Sequence, residues 1–275
     1  MSNLKINMNE FENVNRSLES RTLKVCVVGI GRIGLPTALS FAKSGLDTIG
    51  VDINEILVNN INSGIFPLKD EPGYEEMFHE VLKSKKFSAT TKIENAIPQS
   101  DLILLSLPTP MDENNIPDYS ALINVGTKLS ELLSPNSLVI VESTIEPGFI
   151  EDEMISIISK SGKLKINENF FIGVCPENAN PGEILHDFTT LPRLVGGINS
   201  DITKIIKTIY NFVFPVELIE MPNCKTANAV KLTTNVFRDI NIAFVSELSL
   251  MFEKLGIDTM KVLEAATKKY NFQVH

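Results

Sequence analysis

A run of apolar and β-branched residues from Lys24 to Gly34, KVCVVGIGRIG, ends in a cluster of glycines. Gly29, Gly31 and Gly34 fit the spacing G-x-G-x-x-G. In that motif the first glycine makes a tight turn, the second lets the backbone approach a pyrophosphate, and the third lets a helix pack on the strand. The stretch therefore predicts a buried strand, a turn and a helix whose N-terminus offers N–H groups to an anion.

An acidic residue follows the next predicted strand. The strand from Asp47 to Val51 ends in Asp52, at about the distance from the glycines at which a carboxylate can reach an adenine ribose. A carboxylate there accepts a hydrogen bond from the ribose 2′-hydroxyl and repels a 2′-phosphate. The pattern therefore favours NAD over NADP as the cofactor.

The composition excludes several classes of protein. The chain has 275 residues, of which 43% are hydrophobic, so it can bury the core of one large domain or two modest ones. Its net charge of −9, without a cluster of Lys and Arg, argues against a nucleic-acid surface. No apolar run reaches the length of a membrane span, and residues 1–21 are polar and acidic. We therefore expect a cytoplasmic protein that contacts neither nucleic acid nor membrane.

The cysteines Cys26, Cys175 and Cys224 are scattered and form no C-x-x-C pair. Such spacing predicts neither a disulfide framework nor a metal site.

The order of the predicted elements indicates an α/β protein. Strands are predicted at 23–29, 47–52, 101–107, 138–141, 170–174, 193–195 and 216–219, with helices between most of them. This alternation predicts a Rossmann-like, doubly wound parallel sheet in an NAD-binding domain over residues 22–221.

Residues 1–21 show little periodicity and predict a mobile arm or a short surface helix. Residues 222–275 predict a helical region with one long helix from Lys225 to Leu255, a stretch without Gly or Pro.

Four candidate cofactor contacts fall at the ends of predicted strands. They are Gly29, Asp52, Thr109 and Thr144. In an open parallel sheet, ligands bind outside the carboxyl ends of the strands, where all four residues would converge on one crevice. Either threonine alone could act as a cap or turn residue. Their joint placement favours contact with the cofactor.

The predicted long helix carries a polar stripe. Asn228, Lys231, Asn235 and Arg238 are spaced by three, four and three residues, which places them on one face. One interpretation is an ordinary solvated face. Because most of the surrounding positions are apolar, a stripe that faces a polar ligand is the favoured interpretation. The apolar positions on more than one face predict self-association through this helix.

Several segments together resemble the UDP-glucose/GDP-mannose dehydrogenase family, especially the branch that acts on UDP-N-acetylhexosamines such as UDP-N-acetylmannosamine. In chain order they are VVGIGRIGLPTA, SLPTPMDE, VESTIEPG, VCPENANPGEIL, LPRLVGGI and AVKLTTNVFRDINIAFVSELS. The resemblance implies NAD-dependent oxidation of the C6 alcohol of a UDP-sugar to a carboxylate in polysaccharide biosynthesis. It also implies an aldehyde, a cysteine thioester, and a homodimer formed through the long helix.

The resemblance further implies roles for individual residues. Lys231 and Asn235 would position and polarise the reacting oxygen and a water at the substrate, and Glu177 would assist proton transfer. Substrate contacts would also come from Asn178, Ala179 and Arg238, whose planar donors suit a phosphate or sugar oxygen. The implied cofactor contacts are Gly29, Gly31, Arg32, Ile33, Gly34, Asp52, Thr109 and Thr144.

The sequence departs from the family pattern in several places. Asn228 stands where an acid is usual, and Ser246 stands where an Asn is usual. Asn178 stands where the hexosaminyl branch often has Arg. These departures leave the identity of the sugar open. The family's nucleophilic cysteine lies in a P-G-x-G-x-G-G-x-C loop, and the sequence ends at His275 before such a loop. We therefore expect an amino-terminal portion that binds NAD but forms no thioester, and no sugar carboxylate, by itself.

Two other functions stay open. β-Hydroxyacid dehydrogenases resemble this layout of a dinucleotide domain, a long helix and a Lys-x-x-x-Asn pair, here Lys231 and Asn235, and they need no cysteine. A non-catalytic NAD-binding subunit would use the long helix for association alone. The motifs SLPTP, VESTIEPG and CPENANPG favour the sugar-nucleotide family.

Overall fold

The computed structural model describes residues 6–270 and 272, and within them eight strands form one sheet. The strands are β1 (Lys24–Val28), β2 (Asp47–Val51), β3 (Phe87–Thr90), β4 (Leu102–Leu105), β5 (Ser137–Val141), β6 (Phe170–Val174), β7 (Arg193–Gly197) and β8 (Leu218–Glu220). Their spatial order is β3-β2-β1-β4-β5-β6-β7-β8. The order reverses beside β1, and this is the point at which doubly wound sheets bind ligands.

Helices connect these strands. The helices are α1 (Phe11–Glu19), α2 (Gly34–Lys43), α3 (Glu55–Asn62), α4 (Tyr74–Lys83), α5 (Ile93–Ala96), α6 (Ser120–Leu132), α7 (Ile155–Ser159), α8 (Ile184–Thr190), α9 (Ser200–Val213), α10 (Cys224–Lys254) and α11 (Thr259–Ala266). A 3₁₀ turn at Ile97–Gln99 follows α5, and a π-helical turn at Ile150–Met154 leads into α7. No helix in the part of the chain that the structure describes is long and apolar enough to cross a membrane.

The sheet separates two hydrophobic cores because alternate residues of a strand point to opposite faces. Val25 and Val27 of β1 belong to one core with residues of α2 and α9. Cys26 and Val28 belong to the other core with residues of α5 and α6. A strand that is buried on both faces must be apolar throughout, which explains the unbroken apolar run before the glycines.

One neighbouring pair among the described strands is antiparallel. Val174 of β6 lies opposite Gly196 of β7, and Gly173 lies opposite Gly197, with the strands running in opposite directions. The sheet is therefore mostly parallel, as predicted for a doubly wound fold, with this one antiparallel pair. The physical reason is the connection over residues 175–192, which contains only the short helix α8 and returns to the edge where β6 ended.

The described part of the predicted mobile arm is ordered. Residues 11–19 form α1, whose Val14 and Leu18 are buried in the core that also contains α9. The Arg21 guanidinium lies 4.2 Å from the centre of the Phe212 ring. Of the two predicted alternatives, the short helix is therefore the one observed over residues 11–19. Residues 1–5 lie outside the described residues.

The chain divides into two compact units, residues 1–228 and residues 229–275. We predict a domain boundary between residues 221 and 222, ahead of α10, whereas this division falls within α10. The second unit contains the rest of α10 and α11. Residues 271 and 273–275 of the predicted helical region lie outside the described residues.

Candidate functional site

The turn after β1 contains glycines with different surroundings. A Cβ on Gly29, whose φ is 86°, would lie 2.4 Å from the carbonyl oxygen of Ser106. A Cβ on Gly34 would lie 1.8 Å from the carbonyl oxygen of Gly29, so α2 packs directly on the turn. Around the Cβ position of Gly31, no heavy atom of the described chain other than those of Gly31 and its two neighbours lies within 4 Å. Packing therefore requires Gly29 and Gly34, whereas Gly31 leaves an open cradle of the kind that a pyrophosphate fills.

Asp52 lies at the end of β2 and contacts the same turn. One carboxylate oxygen accepts a hydrogen bond from the Ile30 N–H at 3.0 Å, and the other accepts from the Asn54 N–H at 3.0 Å. Each carboxylate oxygen can accept a second hydrogen bond. The carboxylate therefore fixes the turn and keeps acceptor capacity for a ribose hydroxyl.

The structure brings the two predicted threonines together. The Thr109 hydroxyl donates a hydrogen bond to the Thr144 carbonyl oxygen at 2.8 Å. Ser143 joins the same strand ends, because its hydroxyl accepts from the Leu107 N–H at 2.9 Å and donates to the Leu107 carbonyl at 2.8 Å. These bonds hold the chain that follows β4 against the chain that follows β5, on the carboxyl side of the sheet.

Arg32 and Ile33 lead into α2. Ile33 is half-buried against the core, whereas Arg32 is exposed and extends toward the loop before α4. Its guanidinium pairs with Asp70 at 2.7 Å and with Glu71 at 2.7 Å. Hydrogen bonding to Arg32 lowers the pKa of Asp70 below its ordinary value.

Glu177, Asn178 and Ala179 follow β6 as predicted. One oxygen of the Glu177 carboxylate accepts from the N–H of Asn178 at 2.7 Å and from the N–H of Ala179 at 2.9 Å. The other oxygen lies 2.6 Å from a guanidinium nitrogen of Arg193. Glu177 therefore shapes the backbone of the segment that carries the predicted sugar contacts.

Arg193 lies at the start of β7 and is buried, with 2% of its surface exposed. Its guanidinium lies 4.2 Å from the ring centre of Phe188 and 3.9 Å from that of Phe214. Although burial disfavours the charged form, the attraction of Glu177 helps to hold the pKa of Arg193 above its ordinary value. This buried cation was not among the residues that the sequence singled out.

Glu142, the acid of the VEST motif, lies beside Arg193. It is buried and accepts a hydrogen bond from the Tyr210 hydroxyl at 2.7 Å. Burial raises the pKa of Glu142 to about 7, although Arg193 and Tyr210 both oppose that change. The folded Glu142 carboxyl therefore keeps its proton at mildly acidic pH and loses it as the pH rises through about 7.

The raised pKa of Glu142 predicts a pH-dependent stability. An unfolded glutamate ionises near 4.5, whereas the folded carboxyl keeps its proton until about pH 7. The folded state therefore binds more protons between these values, and the free energy of unfolding should fall by up to about 3 kcal/mol as pH rises through that window. Urea denaturation at pH 5 and pH 8 should show this loss in the wild type, and a much smaller loss in Glu142→Gln.

The control for that measurement is Glu113→Gln, which removes an exposed carboxylate. This variant should keep the wild-type pH profile. An equal loss of unfolding free energy between pH 5 and pH 8 in wild type and in Glu142→Gln would show that Glu142 does not cause this loss.

Lys231, Asn235 and Arg238 lie on one face of α10 in the second unit. Lys231 is buried, Asn235 is half-buried and Arg238 is exposed. Asn228, the first member of the predicted stripe, belongs to the first unit and is buried. The grouping of the three helix residues with Glu177 stays a prediction.

The three cysteines are buried free thiols. Burial raises the pKa of Cys26 to about 12 and also raises the pKa values of Cys175 and Cys224. A thiol must ionise to act as a nucleophile, so none of the three has the environment of a reactive cysteine. Among the described residues, no group of His, Cys, Asp or Glu could hold a metal ion.

Comparison with known proteins extends this description. The NAD-binding domain of the UDP-glucose/GDP-mannose dehydrogenase family matches residues 23–213, and the central domain of that family matches residues 225–275. A UDP-N-acetyl-D-glucosamine 6-dehydrogenase from Pseudomonas aeruginosa is 32% identical over 252 residues, which cover 92% of this chain and 58% of that protein.

Solved structures show the same relationship. The UDP-N-acetyl-mannosamine dehydrogenase Cap5O from Staphylococcus aureus has a TM-score of 0.82 and 34% identity, over 92% of this chain and 60% of that chain. The 3-hydroxyisobutyrate dehydrogenase from Mycobacterium tuberculosis has a TM-score of 0.61 and 16% identity, over 90% of this chain and 71% of that chain. The second likeness shows a shared fold alone. The chain thus spans less than two thirds of the nucleotide-sugar dehydrogenases that it matches.

Proposed function

This chain belongs to the UDP-glucose/GDP-mannose dehydrogenase family, and from that premise we propose that it provides the cofactor site of an NAD-dependent nucleotide-sugar 6-dehydrogenase. The proposed substrate is UDP-N-acetylmannosamine or a related UDP-sugar, which is oxidised to its uronate. The observation that carries the proposal is the open cradle at Gly31, at the switch point of a doubly wound sheet.

The residues at the strand ends suit NAD. The pyrophosphate would lie against Gly31 and the N-terminus of α2, and Asp52 would accept a hydrogen bond from the adenine ribose. Thr109 and Thr144 would line the cofactor farther along the carboxyl edge. When bound, NAD supplies the acceptor for a hydride from the substrate.

The proposed substrate contacts come from two segments. Glu177 would assist proton transfer, and Asn178 and Ala179 would line the sugar. On α10, Lys231 and Asn235 would hold the reacting oxygen and a water, because an ammonium and an amide stabilise developing negative charge. Arg238, also on α10, would bind a phosphate or sugar oxygen.

The cofactor preference is testable through Asp52. Calorimetric titration should show tighter binding of NAD than of NADP, and Asp52→Asn should reduce NAD affinity about tenfold, because one hydrogen bond to a charged acceptor is lost. Asp47→Asn is the matched control, because Asp47 pairs with Lys86 at the opposite end of β2. Equal or tighter NADP binding by the wild type would contradict the proposal.

The substrate class is tested by following NAD reduction with a panel of UDP-sugars and short hydroxyacids. The proposal expects NAD reduction by this chain to be confined to UDP-sugars. Mass spectrometry should detect the aldehyde and no uronate, because none of the three buried cysteines can form the thioester. A rate with a hydroxyacid would favour a β-hydroxyacid dehydrogenase, for which the present support is a shared fold. NAD binding without any turnover would favour a non-catalytic subunit.

We also propose that the protein is cytoplasmic and forms a homodimer through α10. Val236, Ile240 and Phe244 follow one another at helical spacing and are 53%, 63% and 50% exposed. Apolar surface in such a row is typical of an interface. The free thiols Cys26, Cys175 and Cys224 fit a reducing compartment.

Sedimentation should therefore detect a dimer at concentrations well above micromolar, and Ile240→Asp should shift the protein to a monomer because it buries a charge at the interface. Ile56→Asp is the matched control, since Ile56 is 74% exposed on α3 and lies outside this row. A monomeric wild type would show that these apolar residues serve packing within one chain.

A further inference from the structure

The buried Glu71 carboxylate joins the turn after β1 (residues 29–34), which we call the cofactor turn, to the segment that follows β6. The Glu71 side chain is fully buried, and one of its oxygens lies 2.7 Å from the Arg32 guanidinium. The same oxygen accepts from the Gly182 N–H at 2.8 Å, and the other accepts from the Ile184 N–H at 3.3 Å. We call this set, formed by Arg32, Glu71 and the two backbone N–H groups, the Glu71 bridge.

The burial of Glu71 indicates that the bridge is more than a surface ion pair. Arg32 also pairs with Asp70 at 2.7 Å, but the Asp70 side chain is 61% exposed, whereas that of Glu71 is 0% exposed. An exposed pair contributes little because water screens it. A buried carboxylate must be compensated by donors, and Glu71 obtains them from both segments at once.

The two segments also pack closely beside the bridge. Gly73 has φ of 85°, and a Cβ there would lie 2.4 Å from a methyl carbon of Leu185. The loop before α4 and the start of α8 therefore leave no room for a side chain between them. A displacement of residues 182–185 would break both the packing and the hydrogen bonds of Glu71.

We infer that Glu71 is a positioning residue that couples the cofactor turn to the segment carrying Glu177, Asn178 and Ala179. Arg32 stands next to Gly31 in the turn, so an anion bound there interacts with the cation that Glu71 holds. Glu71 in turn holds the far end of the 177–184 segment. Coupling between two sites is reciprocal, so an ordered segment favours the cofactor as the cofactor favours an ordered segment. The cofactor half of this inference rests on the proposed function.

The test is hydrogen exchange of the full chain, with and without NAD, in wild type, Glu71→Gln and Asp70→Asn. Without NAD, Glu71→Gln should accelerate exchange of the Gly182 and Ile184 amides about tenfold or more, because these N–H groups lose a charged acceptor. Asp70→Asn removes the exposed partner of the same arginine and should change exchange by less than about twofold. NAD should slow exchange over residues 177–184 in wild type and Asp70→Asn, and should not do so in Glu71→Gln.

Each result decides a separate point. Wild-type exchange in Glu71→Gln without NAD would overturn the positioning role. Faster exchange that NAD still suppresses as in wild type would overturn the coupling. If calorimetry shows that the wild type does not bind NAD, the proposed function and the coupling both fail, while the measurements without NAD still decide the positioning role.

If circular dichroism shows that Glu71→Gln does not fold, a second variant, Glu71→Asp, tests the inference. Glu71→Asp keeps the charge but shortens the side chain by one methylene, so it cannot reach Arg32 and both N–H groups together. It should accelerate exchange of the Gly182 and Ile184 amides, and an unchanged rate would overturn the inference.

Discussion

Replacement of Arg193 by methionine should lower the free energy of unfolding by about 3–5 kcal/mol, the usual cost of removing one partner of a buried ion pair. Methionine keeps much of the length that packs between Phe188 and Phe214. The loss would therefore report the charges, since Glu177 would remain buried without its cation. Urea denaturation at neutral pH, read by circular dichroism, measures the change.

An exposed ion pair provides the comparison. Lys207 and Glu220 are 2.7 Å apart, close to the 2.6 Å between Arg193 and Glu177, but their side chains are 37% and 42% exposed. Lys207→Met should cost less than about 1 kcal/mol. In addition, Glu177→Gln should restore part of the stability that Arg193→Met removes, because it deletes the stranded charge. Equal losses for Arg193→Met and Lys207→Met would show that the buried cluster is not held by charge.

Replacement of Gly31 by alanine should weaken NAD binding on the order of 100-fold while leaving the melting temperature nearly unchanged. Apart from Gly31 and its two neighbours, no heavy atom of the described chain lies within 4 Å of the Cβ position, so alanine has room in the protein alone. With the cofactor bound, the methyl group would separate the pyrophosphate from the backbone. The loss of about two hydrogen bonds to a charged acceptor accounts for that factor. Calorimetric titration and thermal melting measure the two effects.

Gly34→Ala, in contrast, should lower the stability of the protein itself. Its Cβ would lie 1.8 Å from the Gly29 carbonyl oxygen, so α2 would have to move away from β1. We expect a loss of stability of about 1–3 kcal/mol or more from this overpacking, before any cofactor is added. Undiminished NAD affinity in a folded Gly31→Ala protein would place the cofactor away from this turn.

The features that the sequence predicts best are those set by neighbouring residues. The strand, turn and helix around Gly29, and the position of Asp52 after β2, follow from local spacing and are confirmed as structure. The approach of Thr109 to Thr144 follows from a general property of parallel sheets, because strand ends on the same edge must meet. The long helix also follows from a local property, the absence of Gly and Pro.

The features that the sequence analysis missed depend on pairs far apart in the chain. Glu71 and Gly182 are 111 residues apart, and Tyr210 and Glu142 are 68 residues apart. No local pattern marks such partners. The sequence does not predict the strand β3, FSAT, because it is short and only half apolar, and β2 supplies its pairing. The Arg in LPRLVGG was visible as a charge within an apolar run, which is the signal that could have identified the buried cation.

The antiparallel direction of β7 relative to β6 affects how the connection between these two strands can change during evolution. Since β6 and β7 are antiparallel neighbours, the connection over residues 175–192 leaves and re-enters the sheet at the same edge. A crossover between parallel strands must span a face of the sheet, and its length is constrained by that path. A connection that returns to its own edge has no such constraint. Substitutions between Cys175 and Arg193 that keep Gly182, Ile184 and Phe188 in place should therefore change what lies beside Glu177 without refolding the sheet.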